Sequence, residues 1–228
     1  ANELKTKISQ KQAEAFQISQ QRDSTFPKRL IEYKQALPES DFTERVLALT
    51  KKQEQLKKFD ISTSIQEFTA YEGDNKKVLS VYLEDAEEKT VVFNDLLARL
   101  NLFVELLAEK QFTLKSIEIN RKQGICITTR KGHVLNLTDL SSGEQEEMVL
   151  LYELLFRVNQ NTLVLLDEPE ISLHVVWQKN FIQDLLKIAK IQDINFLVAT
   201  HSPQIINSRW DLTIDLYNLY EAADKKDE

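Results

Sequence analysis

The sequence predicts an α/β protein, in which mainly helical segments precede a lobe built around a parallel sheet. Two observations support this prediction. Before about residue 115, apolar residues recur at helical spacing. After it, short apolar runs alternate with helical patterns, and strands separated by single helices are typical of a parallel sheet. We therefore expect a helical subdomain over residues 1–114 and an α/β lobe over residues 115–228.

Several helices are expected in the first half. The polar opening is helical in pattern, and the segment TFPKRL should interrupt it near Pro27, because proline lacks the N–H that an inner helix position needs. A helix is expected around Asp41 and Glu44, which have capping-box-like spacing. Another is predicted from roughly Val91 to Lys110. Their apolar stripes are most simply core or helix-pairing surfaces.

The second half opens with three short strand patterns, SIEIN, GICITT and HVLNL, of which the last two are separated by the turn RKG. The elements after them alternate between helix and strand. In chain order they are EQEEMVLLYELLFRVN, TLVLLDE, HVVWQKNFIQDLLKIAK, INFLVAT, a short helix opened by Ser202 and Pro203, and DLTIDLYNL. Since ligands gather beyond the carboxyl ends of parallel strands, the ends of TLVLLDE and INFLVAT predict a site.

Composition limits the protein class only broadly. The chain has 228 residues, is 42% hydrophobic, and carries 36 acidic against 29 basic residues for a net charge of −7. This balance gives no overall attraction to nucleic acid and leaves a local basic patch open. There is no apolar run of membrane-spanning length and no signal-peptide pattern, so we expect a cytoplasmic protein without a membrane partner. The single cysteine, Cys126, excludes an intrachain disulfide and is expected to be a buried core thiol.

Asp167 and Glu168 are adjacent carboxylates at the end of a predicted buried strand. Successive side chains on a strand point to opposite faces, so the two acids would serve different neighbours. One could hold a divalent cation while the other orients or deprotonates a water. The alternative is a polar strand end at which both acids are only solvated.

The segment LSSGEQ, residues 140–145, stands ahead of the first helix of the alternating region. Ser141, Ser142 and Gly143 would lie at a helix N-terminus, where unpaired N–H groups and the helix dipole attract anions. Taken alone, the segment is explained by an ordinary serine N-cap. The three segments LSSGEQ, LVLLDE and ATHS in this order are a more specific pattern than any one of them alone.

This order resembles the ABC-type ATPases, in particular the branch containing SMC, RecF and OLD-like proteins. LSSGEQ resembles their signature motif, LVLLDE the Walker B strand, PEISLH the segment with the D-loop, and His201 the switch histidine. Many transporter ATPases have glycine at the position of Ser142, whereas OLD-like relatives tolerate serine. The helical segment with TFPKRL resembles the insertion of prokaryotic defence-system ATPases such as the Septu ATPase subunit. The implied fold is the C-terminal lobe of an ABC ATPase with a helical insertion.

The resemblance implies ATP and Mg²⁺ as ligands. Asp167 would help to hold Mg²⁺, usually through water, and Glu168 would polarise the water that attacks the γ-phosphate. His201 would contact the γ-phosphate. The signature residues would face a nucleotide held by a partner protomer, and these are Ser141, Ser142, Gly143 and Glu144. Ser172 and His174 are implied in the D-loop contact across a dimer, while His174 alone also suits the start of the next helix.

The four glycines of the chain do not begin the phosphate-binding pattern G-x-x-x-x-G-K-[ST]. We therefore expect an N-terminal ATPase lobe with the Walker A loop to come from another segment or chain, and this chain alone not to hydrolyse ATP. One predicted function is an ATP-driven switch, a homodimer or higher homo-oligomer, that controls an effector such as a nuclease in anti-phage defence or a DNA-linked process. The other is a non-hydrolysing scaffold, which the intact Glu168 and His201 disfavour.

Overall fold

The computed structural model describes residues 2–63, 65, 68–110, 115–121, 123–171 and 173–216. The chain forms two compact units, Ala1–Asp139 and Leu140–Glu228. The boundary predicted from the change of hydrophobic period, between residues 114 and 115, falls inside the first of these units. Among the described residues, no helix combines the length and apolar character required to cross a membrane.

Four helices and a small sheet build the first unit. The helices are α1 (Asn2–Glu32), α2 (Glu39–Lys58), α3 (Asn75–Val91) and α4 (Asn94–Glu109). The helical character predicted for this half is confirmed, and α4 matches the helix predicted from Val91 to Lys110. The sequence reasoning did not single out α3. The apolar stripes do form a core, with fully buried side chains at Leu56, Leu83, Leu100, Phe103 and Leu107.

The predicted interruption near Pro27 is wrong, because α1 continues through this proline to Glu32. Proline removes one helical hydrogen bond, and the surrounding contacts offset the loss. Arg29, two residues further on, donates to the Arg22 carbonyl at 2.9 Å and makes two hydrogen bonds of 2.5 and 2.7 Å to Asp85 of α3. This tertiary anchor holds the last turn of α1 in helical geometry.

The predicted capping box at Asp41 and Glu44 is also wrong. Helix α2 begins at Glu39, and Pro38 is the residue that precedes it. Proline suits a helix start because it needs no N–H partner there. Asp41 therefore lies inside the first turn, where its carboxylate favours the helix through the dipole and not as a cap.

The predicted strands after residue 115 are confirmed as β1 (Lys115–Asn120), β2 (Gly124–Thr129) and β3 (Val134–Leu135). They form an antiparallel sheet in the order β1-β2-β3. The predicted turn RKG is confirmed by the Gly132 N–H, which donates to the Thr129 carbonyl at 2.8 Å, and Gly132 has a φ of +80°. Because β1 packs on α4 and β2 on α1, this sheet belongs to the first unit. Cys126 on β2 is half-buried, so the expectation of a buried core thiol is wrong.

The second unit contains the predicted parallel strands. Its elements are α5 (Ser142–Phe156), β4 (Leu163–Asp167), α6 (Val175–Gln178), α7 (Phe181–Gln192), β5 (Asn195–Ala199) and α8 (Pro203–Ile206). Strands β4 and β5 pair in parallel, with Leu163 opposite Asn195 and Asp167 opposite Ala199. This pairing confirms the α/β prediction for the second unit.

Three details of the second unit differ from the sequence prediction. Strand β4 is not buried as predicted: its residues alternate between exposed and half-buried, and Leu163 and Leu165 are exposed. The helix predicted over HVVWQKNFIQDLLKIAK is divided into α6 and α7. The last predicted strand, DLTIDLYNL, is not formed over residues 211–216, where Trp210–Leu212 instead makes a 3₁₀ turn. The remainder of that segment lies outside the described residues. The 3₁₀ turn follows from hydrogen bonds within the segment, such as the Thr213 N–H to the Trp210 carbonyl at 3.2 Å.

Candidate functional site

The parallel pairing places the carboxyl ends of β4 and β5 side by side. The Glu168 N–H donates to the Ala199 carbonyl at 2.8 Å, which continues the ladder one step beyond the last strand residue, Asp167. The next two residues after β5 then bring His201 to Glu168, with 3.8 Å between the imidazole Nε2 and the carboxylate Oε1. The structure therefore brings together the two residues that the sequence placed at neighbouring strand ends.

Glu168 has an unusual backbone conformation, with a φ of +44°. Among the described residues, the other non-glycine positions with positive φ are Asp60, Asn161, Asp193 and Asn207. Asp and Asn adopt this left-handed region readily, because their short side chains bond locally, whereas glutamate does so at a cost. A strained residue at the end of a strand is an observation that points to function.

Asp167 and Glu168 lie in separate environments, which reduces the repulsion between these two adjacent carboxylates. Asp167 ends β4 in extended conformation and is exposed. Glu168 turns into the left-handed region, and its side chain remains 44% exposed beside His201. The two acids therefore do not compete for one neighbour.

A third acid, Glu170, was not identified from the sequence. It lies in the turn Pro169–Ile171 that follows Glu168. Its Oε1 accepts from the Thr200 hydroxyl at 2.8 Å and from the His201 N–H at 3.0 Å. The Thr200 oxygen in turn accepts from the Ser202 N–H at 3.0 Å. The signal in the sequence was the spacing D-E-x-E beside the hydroxyl-rich segment ATHS, since three nearby acids need compensating donors.

Two opposing effects set the pKa of the Glu170 carboxyl. Burial raises the pKa, because it penalises the charged form. The N–H and O–H dipoles around the carboxylate outweigh burial, and the net pKa is lowered; they belong to its own backbone, the Thr200 hydroxyl and the backbone of His201 and Ser202. Glu170 is therefore an ionised acceptor at neutral pH.

The segment LSSGEQ forms the start of α5. Ser141 is the N-cap, and its side chain accepts from the Glu144 N–H at 3.4 Å. Glu144 is nearly buried, and its Oε2 accepts from both the N–H and the hydroxyl of Ser141 at 2.9 Å. The ordinary serine N-cap is thus present, completed as a capping box. Ser142 is exposed and Gly143 half-buried at the start of the same helix, where free N–H groups suit an anion.

Trp177, which the sequence reasoning did not consider, connects the start of α5 to the segment after Glu170. Its buried ring lies 3.8 Å from the point where a Cβ on Gly143 would stand, and its centroid is 5.7 Å from that of His174. His174 is the N-cap of α6, and its Nδ1 accepts from the Val176 N–H at 3.4 Å. The alternative that His174 starts the next helix is therefore confirmed. Ser172 lies outside the described residues.

Comparison with known proteins identifies the family of the chain. Residues 11–207 match the family described as "AAA domain, putative AbiEii toxin, Type IV TA system". The chain belongs to this family. It is 25% identical over 186 residues to the Retron Ec83 probable ATPase of Escherichia coli, a match that covers 72% of this chain and 32% of that protein. It is 23% identical over 170 residues to the Retron Vc95 probable ATPase of Vibrio cholerae serotype O1 biovar El Tor, covering 67% of this chain and 33% of that protein.

The AAA-domain chain spans about a third of the length of these two curated relatives. The family and the names of the relatives support a protein of the ATPase kind, and the predicted resemblance to an ATPase is confirmed at this level. The family match also extends over both compact units, from α1 to α8. The residue roles within the site remain predictions.

The donor chemistry at the end of β4 in this AAA-domain chain fits Mg²⁺. Magnesium prefers one or two carboxylates together with water and phosphate oxygens. Asp167 supplies an exposed carboxylate at a strand end, and within the described part of the chain its side chain makes no hydrogen bond or ion pair. An exposed carboxylate of this kind is the chemistry with which a protein would hold a hydrated Mg²⁺, whose charge would neutralise phosphates.

Proposed function

We propose that this chain supplies part of an ATP-hydrolysing site in a dimerising ATPase that acts as a switch for an associated effector. The observation that carries the proposal is the approach of Glu168 and His201, 3.8 Å apart at the carboxyl ends of two adjacent parallel strands. Parallel sheets bind ligands at this edge. The AAA-domain family and the probable-ATPase relatives support the reaction class.

The proposed chemistry divides the work between three side chains. Glu168 polarises the attacking water and accepts its proton, and its partly exposed carboxylate is accessible to a water and a phosphate. His201, whose ring is exposed beside Glu168, contacts the γ-phosphate as charge develops on its oxygens. Asp167 holds Mg²⁺ through water. Phosphoryl transfer needs this positioning and charge neutralisation more than covalent chemistry.

The proposed site is completed by other protein surfaces. The phosphate-binding loop comes from an N-terminal ATPase lobe, in another segment or another chain. The start of α5, with Ser141, Ser142, Gly143 and Glu144, faces a nucleotide on a partner protomer, and the segment with Ser172 and His174 lies at the same dimer contact. We place the assembly in the SMC, RecF and OLD-like branch, close to defence ATPases such as the Septu subunit. Its effector is proposed to be a protein such as a nuclease, and direct binding of nucleic acid stays open.

The geometry at the start of α5 refines this proposal. Because the Ser141 hydroxyl and the Glu144 carboxylate are bonded to each other, they serve the nucleotide by fixing the helix start. The exposed Ser142 and the backbone of the first turn are then the groups that meet phosphate. A change at Gly143 tests this reading, because a Cβ there meets Trp177 only at ordinary contact distance. Gly143→Ala should keep the fold and closure, whereas Gly143→Arg should keep the fold and block ATP-dependent closure, as measured by solution scattering.

The deciding experiment compares Glu168→Gln with Glu146→Gln in the ATPase that combines this chain with its phosphate-binding lobe. Glu146 is an exposed residue of α5 and serves as the matched control. The amide at position 168 keeps the size of the carboxylate but cannot accept a proton. We expect Glu168→Gln to bind ATP normally, to lose on the order of a hundredfold in turnover, and to accumulate as the closed dimer.

Asp167→Asn should behave differently in the same assays, because a weaker metal site impairs nucleotide binding as well as turnover. Normal turnover in Glu168→Gln would reject the proposed role of Glu168. Absence of hydrolysis in the unmodified assembly, with dimerisation intact, would instead favour the second candidate, a scaffold that retains ATPase architecture without turnover.

A further inference from the structure

His201 is held in place by its backbone. Its side chain is 93% exposed, so packing contributes little to the position of the ring. The backbone around it is fixed by Glu170, whose Oε1 accepts from the His201 N–H at 3.0 Å and from the neighbouring Thr200 hydroxyl at 2.8 Å. One carboxylate oxygen therefore holds the two residues that follow β5.

Glu170 also connects this loop to the turn that carries Glu168. The two acids are separated only by Pro169, and the Ile171 N–H donates to the Glu168 carbonyl at 3.1 Å to close the turn. The Glu168 N–H is itself fixed to the Ala199 carbonyl at 2.8 Å. Glu168 and His201 are thus linked by a short, hydrogen-bonded path through the carboxylate of Glu170.

The second oxygen of Glu170 shows that this link has an energetic cost. Oε2 is buried and has no hydrogen-bond partner within the described part of the chain. Burying a polar atom without a hydrogen-bond partner is unfavourable. The two hydrogen bonds at Oε1 help to offset this cost, and the charge of the carboxylate strengthens them, since charge-assisted hydrogen bonds are stronger than neutral ones.

We propose that Glu170 is the positioning residue for His201, and that it fixes the distance between His201 and Glu168 by clamping the backbone of the loop after β5 to the turn after β4. This inference rests on the proposed function for its catalytic consequence. Glu170 touches no reacting atom in this scheme and acts through His201. A displacement of about 1 Å in a catalytic group is enough to cost up to about a hundredfold in rate.

The first test reads the position of His201 without any activity. In the ¹⁵N-labelled chain, Glu170→Ala should shift the backbone amide resonances of Thr200, His201 and Ser202, and that of His201 most. Glu170→Gln keeps an acceptor oxygen and should retain most of the unmodified amide shift at His201. Thr200→Val provides a milder second variant if Glu170→Ala folds poorly, because it removes the hydroxyl bonded to Glu170 and Ser202 but keeps the acceptor of the His201 N–H. Glu146→Ala serves as the matched control and should leave these resonances unchanged.

The second test measures ATP turnover in the assembly of this chain with its phosphate-binding lobe. Glu170→Ala should lower kcat by about tenfold to a hundredfold with little change in KM for ATP. Glu170→Gln should restore most of kcat. The double variant Glu170→Ala/His201→Ala should be no slower than His201→Ala, because residues that act through one another are not additive.

The outcomes separate this inference from the proposed function. An unchanged His201 amide in Glu170→Ala, or fully additive losses in the double variant, would overturn the positioning role while leaving the roles of Glu168 and His201 intact. Normal turnover in both Glu168→Gln and His201→Ala would reject the proposed function, and the catalytic consequence of Glu170 would fall with it. A shifted His201 amide together with non-additive losses supports the positioning role.

Discussion

Replacing Glu168 by glycine should stabilise the second unit while removing activity. Glu168 has a φ of +44°, and a non-glycine residue in the left-handed region costs about 1–2 kcal/mol. Glycine relieves this cost but adds about 0.4–1 kcal/mol of chain entropy to the unfolded state. Loss of the contact with His201 should change the free energy of unfolding little, because the imidazole is 93% exposed. The centres of the two ranges differ by about 0.8 kcal/mol, which is the expected gain in the free energy of unfolding.

Urea denaturation followed by tryptophan fluorescence measures this gain in stability for the second unit. Both tryptophans, Trp177 and Trp210, lie in the second unit, so their emission reports its unfolding. With an m-value of about 2 kcal/mol/M, the midpoint should rise by about 0.4 M. Asn161→Gly is the matched control, because Asn161 has a φ of +57° in the same unit and asparagine tolerates this region. Its midpoint should change less than that of Glu168→Gly.

A midpoint for Glu168→Gly that is unchanged or lowered, or a gain no larger than that of Asn161→Gly, would refute the reasoning that strain is stored at Glu168. A gain in stability together with lost turnover would show that the strain is retained for function, as expected where activity and stability conflict. Glu168→Gln separates the two effects. It keeps the strained backbone, so it should lose turnover without gaining stability.

Two further predictions concern stability, one for an ion pair of the first unit and one for a helix cap of the second. Arg29→Ala should lower the stability of the first unit by about 3 kcal/mol, the lower end of the range for breaking a buried ion pair, because Asp85 is 2% exposed but keeps Arg22 at 4.0 Å. Thermal denaturation followed by circular dichroism checks this value, and the exposed Lys28→Ala should change stability by less than about 0.5 kcal/mol. Ser141→Ala should cost about 1 kcal/mol through loss of the capping box, measured by the urea assay above, whereas the exposed Ser142→Ala should cost clearly less. No loss in Ser141→Ala would mean that Glu144 alone secures the helix start.

The sequence predicted the second unit well because its signals are local and agree with each other. Apolar runs ending in Asp167 and Thr200 identified β4 and β5, and parallel pairing followed from the helix between them. The same logic placed Glu168 near His201, which the 3.8 Å approach confirms as geometry. The split between α6 and α7 and the 3₁₀ turn at Trp210 departed from the pattern, and both depend on hydrogen bonds that apolar periodicity does not encode. The burial predicted for β4 was also wrong, because an apolar run does not say which neighbours cover it.

The first unit was harder to predict because long-range contacts override local preferences there. Proline predicted a break in α1, but the hydrogen bonds between Arg29 and Asp85 join residues 56 positions apart and keep the helix intact. The change of hydrophobic period near residue 115 predicted a domain boundary. The antiparallel sheet that starts there packs on α1 and α4, so the compact unit extends to Asp139. Both results depend on contacts between residues far apart in the chain, which a short stretch of sequence does not predict.

Glu170 was missed for a related reason, since its role is defined by a loop about thirty positions away in the chain. Three acids within four residues, Asp167, Glu168 and Glu170, would repel each other if they shared one environment. The structure gives each a different one: exposure at a strand end, a left-handed turn beside a histidine, and a set of hydroxyl and backbone donors. Because the donors to Glu170 are neutral, they stabilise its charge without placing a cation among the acids. In the proposed function, the positive charge would then come from Mg²⁺ and from the groups that contact the phosphates, which is where phosphoryl transfer requires it.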